Sequence, residues 1–402
     1  MAATAAVQER RVEISVGINT GDIRGRDNRA IQAAVDYVAS YGGGTVRVGA
    51  GRYLMRNALM LRDKVTVVGI PGKTVLAACA GAESRLELDG DCNERQITLA
   101  DARAFRVGDG VSVLDDRMGG GFGVTTATLT AQLDAKTFKI SRPLYYDYMV
   151  SLRARARLVF PLVLGRQVGY ATVEGLTLDG NRAKTQPLDG CRGGGIYLFE
   201  CGHVSLRGCV VRAYNGDGIS FQVSESILVE DCVCEDNAGI GLHPGSGSQR
   251  PTLRRNRSSG NDGDGMFVCW RVKHGVFEVN EIRGNKGHGI SIGHKDTDNA
   301  FCRNCIVENG KAGVLFRDES EPMGAHRNAF NGNTILDNGA AEKRRAAVVI
   351  LGHTHDLVFR RNRLGNSKPS GKAAVGIVVG KHARGLTLEA NTFLHVQKEL
   401  QR

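Results

Sequence analysis

Between residues 195 and 352 one short pattern recurs: a small residue, then apolar side chains at the second and fourth positions. It reads GIYLFE (195–200), GISFQV (218–223), GIGLHP (239–244), GMFVCW (265–270), GISIGH (289–294), GVLFRD (313–318) and AVVILG (347–352). Period-two alternation over so few residues predicts short, half-buried strands. Gly265, Gly289 and Gly313 follow one another at 24-residue steps. Asparagines fall into columns behind these strands. One column is Asn256, Asn280 and Asn304, with Asn362 later and Cys209 and Cys232 earlier. Another is Asn215, Asn237, Asn261, Asn285, Asn309, Asn338 and Asn366. A side chain that donates and accepts, placed once per repeat, can stack on its own copies as an amide ladder.

A repeat of this length built from short strands predicts a solenoid. The fold class expected is all-β: a right-handed parallel β-helix whose coils stack at roughly 4.8 Å. Such a stack needs a cap at its open end. Asp27 can N-cap a helix over 28–41, with Ile31, Ala34, Val35 and Val38 as its apolar stripe and Gly42–Gly44 as its stop. The expected organisation is an N-terminal cap (1–45), first coils (46–102), an antiparallel β insertion (103–165) and the main coils (166–402), all one solenoid. VTTATLTAQLDAKTFKI reads as a hairpin turning near Asp134, and DDRMGGGFG (115–123) as a mobile loop.

Composition narrows the function. The 402 residues include 53 glycines and only 8 prolines, with 6% aromatics, which suits a turn-rich repeat. A net charge of +11 suggests a polyanionic partner. No Lys/Arg block of the nucleic-acid type occurs, and RARAR (153–157) reads as one strand face. No segment suits a membrane span or a signal peptide, so the chain is expected to be cytoplasmic as given, or secreted, periplasmic or surface-bound if a signal was removed. Ten cysteines do not make a disulfide framework at this length, and Cys302 and Cys305 read as buried thiols, not a zinc site.

The residues just past the repeated strands carry the candidate chemistry. They are Gln222, His243, Trp270, Arg271, His294, Lys295, Arg317, Asp318, Glu319 and His353, with His274 and His288 nearby. Stacked coils would make them one groove, about 20–25 Å long over five coils. Trp270 offers a plane for a sugar ring, and the cations can pair with carboxylates. His243, Arg271, His294, Lys295, Arg317 and Asp318 are the catalytic candidates. Gln222, Trp270, His274, His288, Glu319 and His353 are the substrate-binding candidates. Asp296 and Asp298 are candidate Ca²⁺ ligands, although Asx turns and a salt bridge to Lys295 account for them better, and Asp217 and Asp264 read as turn formers. Abstraction of a proton beside a uronate carboxylate needs a base near neutrality and a cation for the developing charge. His243 or Lys295 suits the first role and Arg271, Arg317 or bound Ca²⁺ the second. Hydrolysis with Asp264 and Asp318 or Glu319 is the alternative, and binding without catalysis the third.

DNRAIQAAVDYVASYGGGTVRVGAGRY, LTLDGN (176–181) and NGDGISF (215–221) resemble the pectate-lyase-like superfamily of right-handed parallel β-helix proteins. The resemblance implies that fold and a carbohydrate-active protein: a lyase, epimerase, hydrolase or tailspike. The reading of binding without catalysis carries a homotrimer as its candidate oligomer. His243 with Arg271 one coil on is similar to the His–Arg arrangement of mannuronan epimerases, with HPGS in place of an Asp-Pro-His sequence. NGDG and GHGISIG look like polygalacturonase motifs, but Asp236-Asn237 stands where a pair of aspartates is expected. The reading is an acidic polysaccharide as partner, acted on by lyase or C5-epimerase chemistry.

Overall fold

In the computed structural model, residues 12–118, 123–342, 345–369 and 374–402 are described. Residues 119–122 of the glycine-rich stretch 115–123, and parts of the turns EKRR and NSKPSGK, lie outside them. Three long sheets, of 13, 11 and 11 strands, run the length of the molecule with neighbouring strands parallel. Each coil contributes one strand to each sheet, as in Leu242–Gly245, Thr252–Arg254 and Arg257–Ser259. Met266 pairs with Ile290 and Ile290 with Val314, so 24 residues make one turn of the stack. The chain is a parallel β-helix.

Period-two alternation decides what enters the core. Ile290 and Ile292 are fully buried between the sheets, as are Val314 and Phe316 one coil on. Phe277, Phe301, Phe330 and Phe359 form a continuous stack with ring centroids 4.5–4.9 Å apart. Two asparagine ladders line the corners. Asn280 Nδ2 donates to Asn304 Oδ1 and to the Leu253 carbonyl, both at 2.9 Å, while its own Oδ1 accepts from the Asn256 backbone amide at 3.0 Å. The ladder continues through Asn333, Asn362 and Asn391. The second runs from Asn237 through Asn261, Asn285 and Asn309 to Asn338.

Helix Asn28–Ser40 closes the N-terminal end. Asp27 caps it by accepting from the Arg29 amide at 3.0 Å, and Ile31, Ala34, Val35 and Val38 are fully buried beneath it. The insertion is a six-stranded antiparallel sheet. It begins at strand Glu83–Arg85, not at 103, and ends with Arg155–Arg157. Its first strand was not legible because only Ser84 of that strand is buried. The expected hairpin joins Thr125–Gln132 to Thr137–Ile140, with Asp134 accepting from the Lys136 and Thr137 amides at 2.8 Å. RARAR proves to be a paired face: Arg155 and Arg157 meet Glu83, and Arg153 and Arg155 meet Asp116. All ten cysteines are free, but Cys305 is exposed and Cys302 half-buried, contrary to the expectation of buried thiols, because both end up on the outward faces of their strands.

Candidate functional site

One of the 11-stranded sheets turns its outer face toward the insertion. Its strands include Val163–Arg166, Ile196–Phe199, Ile219–Gln222, Leu242–Gly245, Met266–Val268, Ile290–Ile292 and Val314–Phe316. Register sets the stripes. Ser220 pairs with His243, and Leu242 with Met266, which places Phe267 beside His243 and Ser291 beside Phe267. His243 therefore does not share a column with Trp270 and His294, as the sequence alignment had it. Gly241, not Gly239, is the equivalent of Gly265, so that coil slips by two residues, and Arg271 stands four residues beyond the neighbour of His243.

At the centre is a buried pair. His243 Nδ1 lies 2.7 Å from Asp217 Oδ2, and both residues are 4% exposed. A carboxylate only accepts, so Nδ1 carries the proton and Nε2 keeps its lone pair. Nε2 has no hydrogen-bond partner among the described residues. Asp217 Oδ1 accepts from the Ile240 amide at 2.9 Å, which fixes the carboxylate. Gly190 closes over the pair: a Cβ there would lie 1.7 Å from Asp217 Oδ2. The same loop holds Ser220, whose hydroxyl donates to the Gly190 carbonyl at 2.6 Å. Gln222 is buried, donating to Ser220 Oγ at 2.9 Å with its Oε1 unpartnered. Asp217 and Gly190 also line a cavity of about 460 Å³ shared with Leu114, Asp116 and Arg155 of the insertion.

Phe267 links this pair to the next coils. Its ring meets His243 edge-on at 5.4 Å, and the Arg317 guanidinium stands 4.3 Å from its centroid. Arg317 points inward. It donates to Ser291 Oγ at 2.9 Å and the Val268 carbonyl at 2.8 Å, and contacts Asp296 Oδ2 at 3.3 Å. Asp296 is fully buried, and that burial raises its carboxyl to about 7, against the pull of Arg317. His294 Nε2 meets Glu319 Oε1 at 2.8 Å, its ring 5.4 Å from Trp270. Burial lowers the His294 imidazole and raises the Glu319 carboxyl. Trp270 and Arg271, and Lys295 after His294, sit on the rim in the left-handed region, with φ of 68°, 69° and 66°. Left-handed residues recur along the solenoid, as at Asp231, Arg255, Val279 and Arg303, so this conformation belongs to the turns of the coils. Lys295 has no carboxylate within ion-pair distance among the described residues.

The remaining candidates fall elsewhere. His274 is exposed on a later turn. His288 precedes its strand in one column with Asp264, whose Oδ1 accepts its amide at 2.6 Å. Burial holds the His288 imidazole down at about 4, and its Nδ1 is buried and unpartnered. Asp318, Glu319 and His353 border a cavity of about 520 Å³ past the end of the stripe, where His353 stacks on His382 at 4.5 Å. Asp296 and Asp298 do not converge on an ion site. Asp296 accepts from the Val272 and Gly293 amides, while Asp298 binds Arg327 at 2.7 and 2.9 Å. Glu321, His326 and His355 come within metal-ligating distance of one another. Both His326 nitrogens are engaged, with the Glu321 carbonyl at 3.0 Å and the His355 amide at 3.2 Å, and Arg384 holds Glu321 at 2.9 Å, so this donor set fits a hydrogen-bonded stack and not an oxygen-rich Ca²⁺ site. The role of Asp217 was under-read from sequence: NGDG is an ordinary turn motif, and only the stacking of the next coil brings an imidazole to it.

The protein is a right-handed parallel β-helix. A family model described as "Right handed beta helix region" matches residues 163–323. Mannuronan C5-epimerase AlgE2 of Azotobacter vinelandii is 23% identical over 321 residues, covering 79% of this chain and 24% of that protein. The chain thus spans about a quarter of the length of the curated relatives it matches. The A-module of the Azotobacter vinelandii mannuronan C-5 epimerase AlgE6 superposes with a TM-score of 0.61 at 16% identity, over 96% of both chains. A structure described only as a glycoside hydrolase superposes with a TM-score of 0.55 at 11% identity, over 94% of this chain and 96% of that one.

Proposed function

We propose that the protein modifies an acidic polysaccharide by taking the C5 proton of a uronate residue, as an epimerase or lyase. The observation that carries this reading is the buried Asp217–His243 pair, which leaves Nε2 without a partner among the described residues, next to the cavity that Asp217 and Gly190 line. The hydrogen beside a carboxylate is weakly acidic, and its removal needs a base near neutrality together with charge stabilisation. His243 takes the proton while Asp217 holds its tautomer and steadies the imidazolium. A cation, Arg317, stands one phenyl ring away. Its partner Asp296 titrates near neutrality, so part of the Arg317 charge is available to the developing enolate. On the rim, Trp270 supplies a stacking plane, and Arg271 and Lys295 hold neighbouring carboxylates of the polymer. Return of the proton to the opposite face of C5 completes epimerisation. Loss of the O4 substituent completes β-elimination. The mannuronan epimerases among the similar proteins favour polymannuronate as the first substrate to try.

A second reading has one observation in its favour. Asp217 and Asp264 lie on the same edge two coils apart, roughly 9–10 Å from the coil spacing, near the carboxyl separation of inverting glycosidases. Burial raises the Asp264 carboxyl, as a general acid requires. One panel separates the readings: polymannuronate, polyguluronate and polygalacturonate, each with and without Ca²⁺, followed by absorbance near 235 nm, reducing ends and proton NMR. Absorbance marks elimination, altered uronate signals without cleavage mark epimerisation, and reducing ends without absorbance mark hydrolysis. Silence in all three with every polymer contradicts both.

A further inference from the structure

A second cavity, of about 400 Å³, lies between the insertion and the first coils, at the other end of the same sheet face. Arg142 of the insertion and Arg166 of the strand Val163–Arg166 both line it, together with Thr126, Thr128 and Ser141. Neither arginine has a carboxylate within ion-pair distance among the described residues, and no Asp or Glu lines this cavity. The hydrogen bonds of the two guanidinium groups are few. Arg166 reaches Thr126 Oγ1 at 3.3 Å, and Arg142 reaches the Tyr145 hydroxyl at 3.2 Å. The Nε atoms of both are buried without a partner. Arg166 is also held flat, its guanidinium 5.2 Å from the Phe199 ring centroid and 5.7 Å from that of Tyr197. Arg192 adds a third cation over Tyr145, at 5.7 Å.

Arg56, at comparable depth, is neutralised. Arg56 is bound to Asp109 through two nitrogens, at 2.6 and 2.7 Å. Half-buried cations facing one another without counter-charge are costly, and a fold keeps them where an anion repays the cost. Burial, and then the Arg142 charge, pull the Arg166 guanidinium below its ordinary value, as expected of a cation waiting for an anion.

We infer that this cavity is an oxyanion subsite in which Arg142 and Arg166 grip one carboxylate of an acidic saccharide, with the three hydroxyl side chains completing its hydrogen bonds. The strand of Arg166 is three coils from that of His243, roughly 14 Å along the stack. A chain anchored there has its next few units directed along the sheet toward His243. The choice of a uronate carboxylate over a free phosphate or sulfate rests on the function proposed above; the anion site itself does not.

The test is binding by calorimetry to wild type, Arg166→Gln, Arg142→Gln/Arg166→Gln and a control, Arg360→Gln, whose arginine lies on another sheet. The probes are uronate oligosaccharides of three to six units, neutral oligosaccharides of equal length, inorganic phosphate and sulfate. The expected result is uronate binding weakened roughly ten- to hundred-fold by Arg166→Gln and further by the double change, with Arg360→Gln and neutral sugars unaffected. The Arg166 and double variants should melt at or above the wild-type temperature, because a half-buried charge without a counter-charge has been removed; an arginine with a purely structural role would lower it. Phosphate or sulfate binding that depends on Arg166, without uronate binding, keeps the anion site and overturns its saccharide source. Uronate binding unchanged in the double variant overturns the subsite, while His243-dependent activity would leave the proposed function standing.

Discussion

Two edges of the same coils behave in opposite ways. Along the ladder from Asn237 to Asn338 one residue type repeats on every coil, fully buried, with its amide donors used. A few residues on, just before the groove strands, successive coils carry Asp217, Ile240, Asp264, His288 and Ala312. There no residue type is kept from coil to coil, Asp264 and His288 titrate away from their ordinary values, and His288 Nδ1 has no partner. Stacking identical amides satisfies each coil with the next, so a ladder stabilises and does nothing else. Breaking the stack leaves hydrogen-bonding capacity unfilled and lets a carboxylate on one coil meet an imidazole on the next, as Asp217 meets His243. Uniform columns hold this solenoid together, and irregular ones carry its chemistry.

The largest effect should follow from the irregular edge. His243→Ala removes the base and should lower turnover by about 10²–10⁴-fold, with near-native circular dichroism. Asp217→Asn, which presents an amide to Nδ1 and favours the wrong tautomer, should lower turnover by at least 10-fold with little change in KM. On the uniform edge, Asn280→Leu should do the reverse. It orphans the donors of Asn256 and the carbonyl of Leu253, at about 1–3 kcal/mol for each group left unpaired, so the urea midpoint should fall while activity per folded molecule stays near wild type. Equal damage to both readouts from either change would dissolve the contrast between the edges.

Most of the fold was legible because it repeats. The glycine-led strands and the Asn columns recur at 24 residues, the signature of stacked solenoid coils. Asn333 and Asn391 escaped because the later coils lengthen and lose the 24-residue step. The site was less legible for the same reason. Counting from glycine sets His243 level with Cys269, next to Trp270, yet a two-residue slip in one coil puts Phe267 beside His243. Arg317 looked like a groove cation, and only the three-dimensional arrangement turns it onto Asp296 and Ser291.

Smaller effects sharpen the contrast further. Lys295→Met should raise KM for a uronate polymer by roughly ten-fold with kcat less affected, because it removes a rim contact and not the base. The pH dependence of stability should carry the signature of His288. Its imidazole sits at about 4 in the fold against 6.5 in the open chain, so its contribution is fully present above pH 6.5 and is lost as pH falls toward 4. His288→Leu should therefore flatten the acid limb of the melting-temperature profile across that window, and an unchanged limb would assign the acid sensitivity to other groups.

The central claim is that a proton leaves C5. The most direct measurement is proton NMR of polymannuronate, and of the other uronate polymers in turn, incubated with the protein in D₂O. The account predicts loss of the H5 signal with wild type, through exchange on epimerisation or removal on elimination, and its retention with His243→Ala. Cleavage with H5 intact would contradict it and move the chemistry to the Asp217–Asp264 carboxylates.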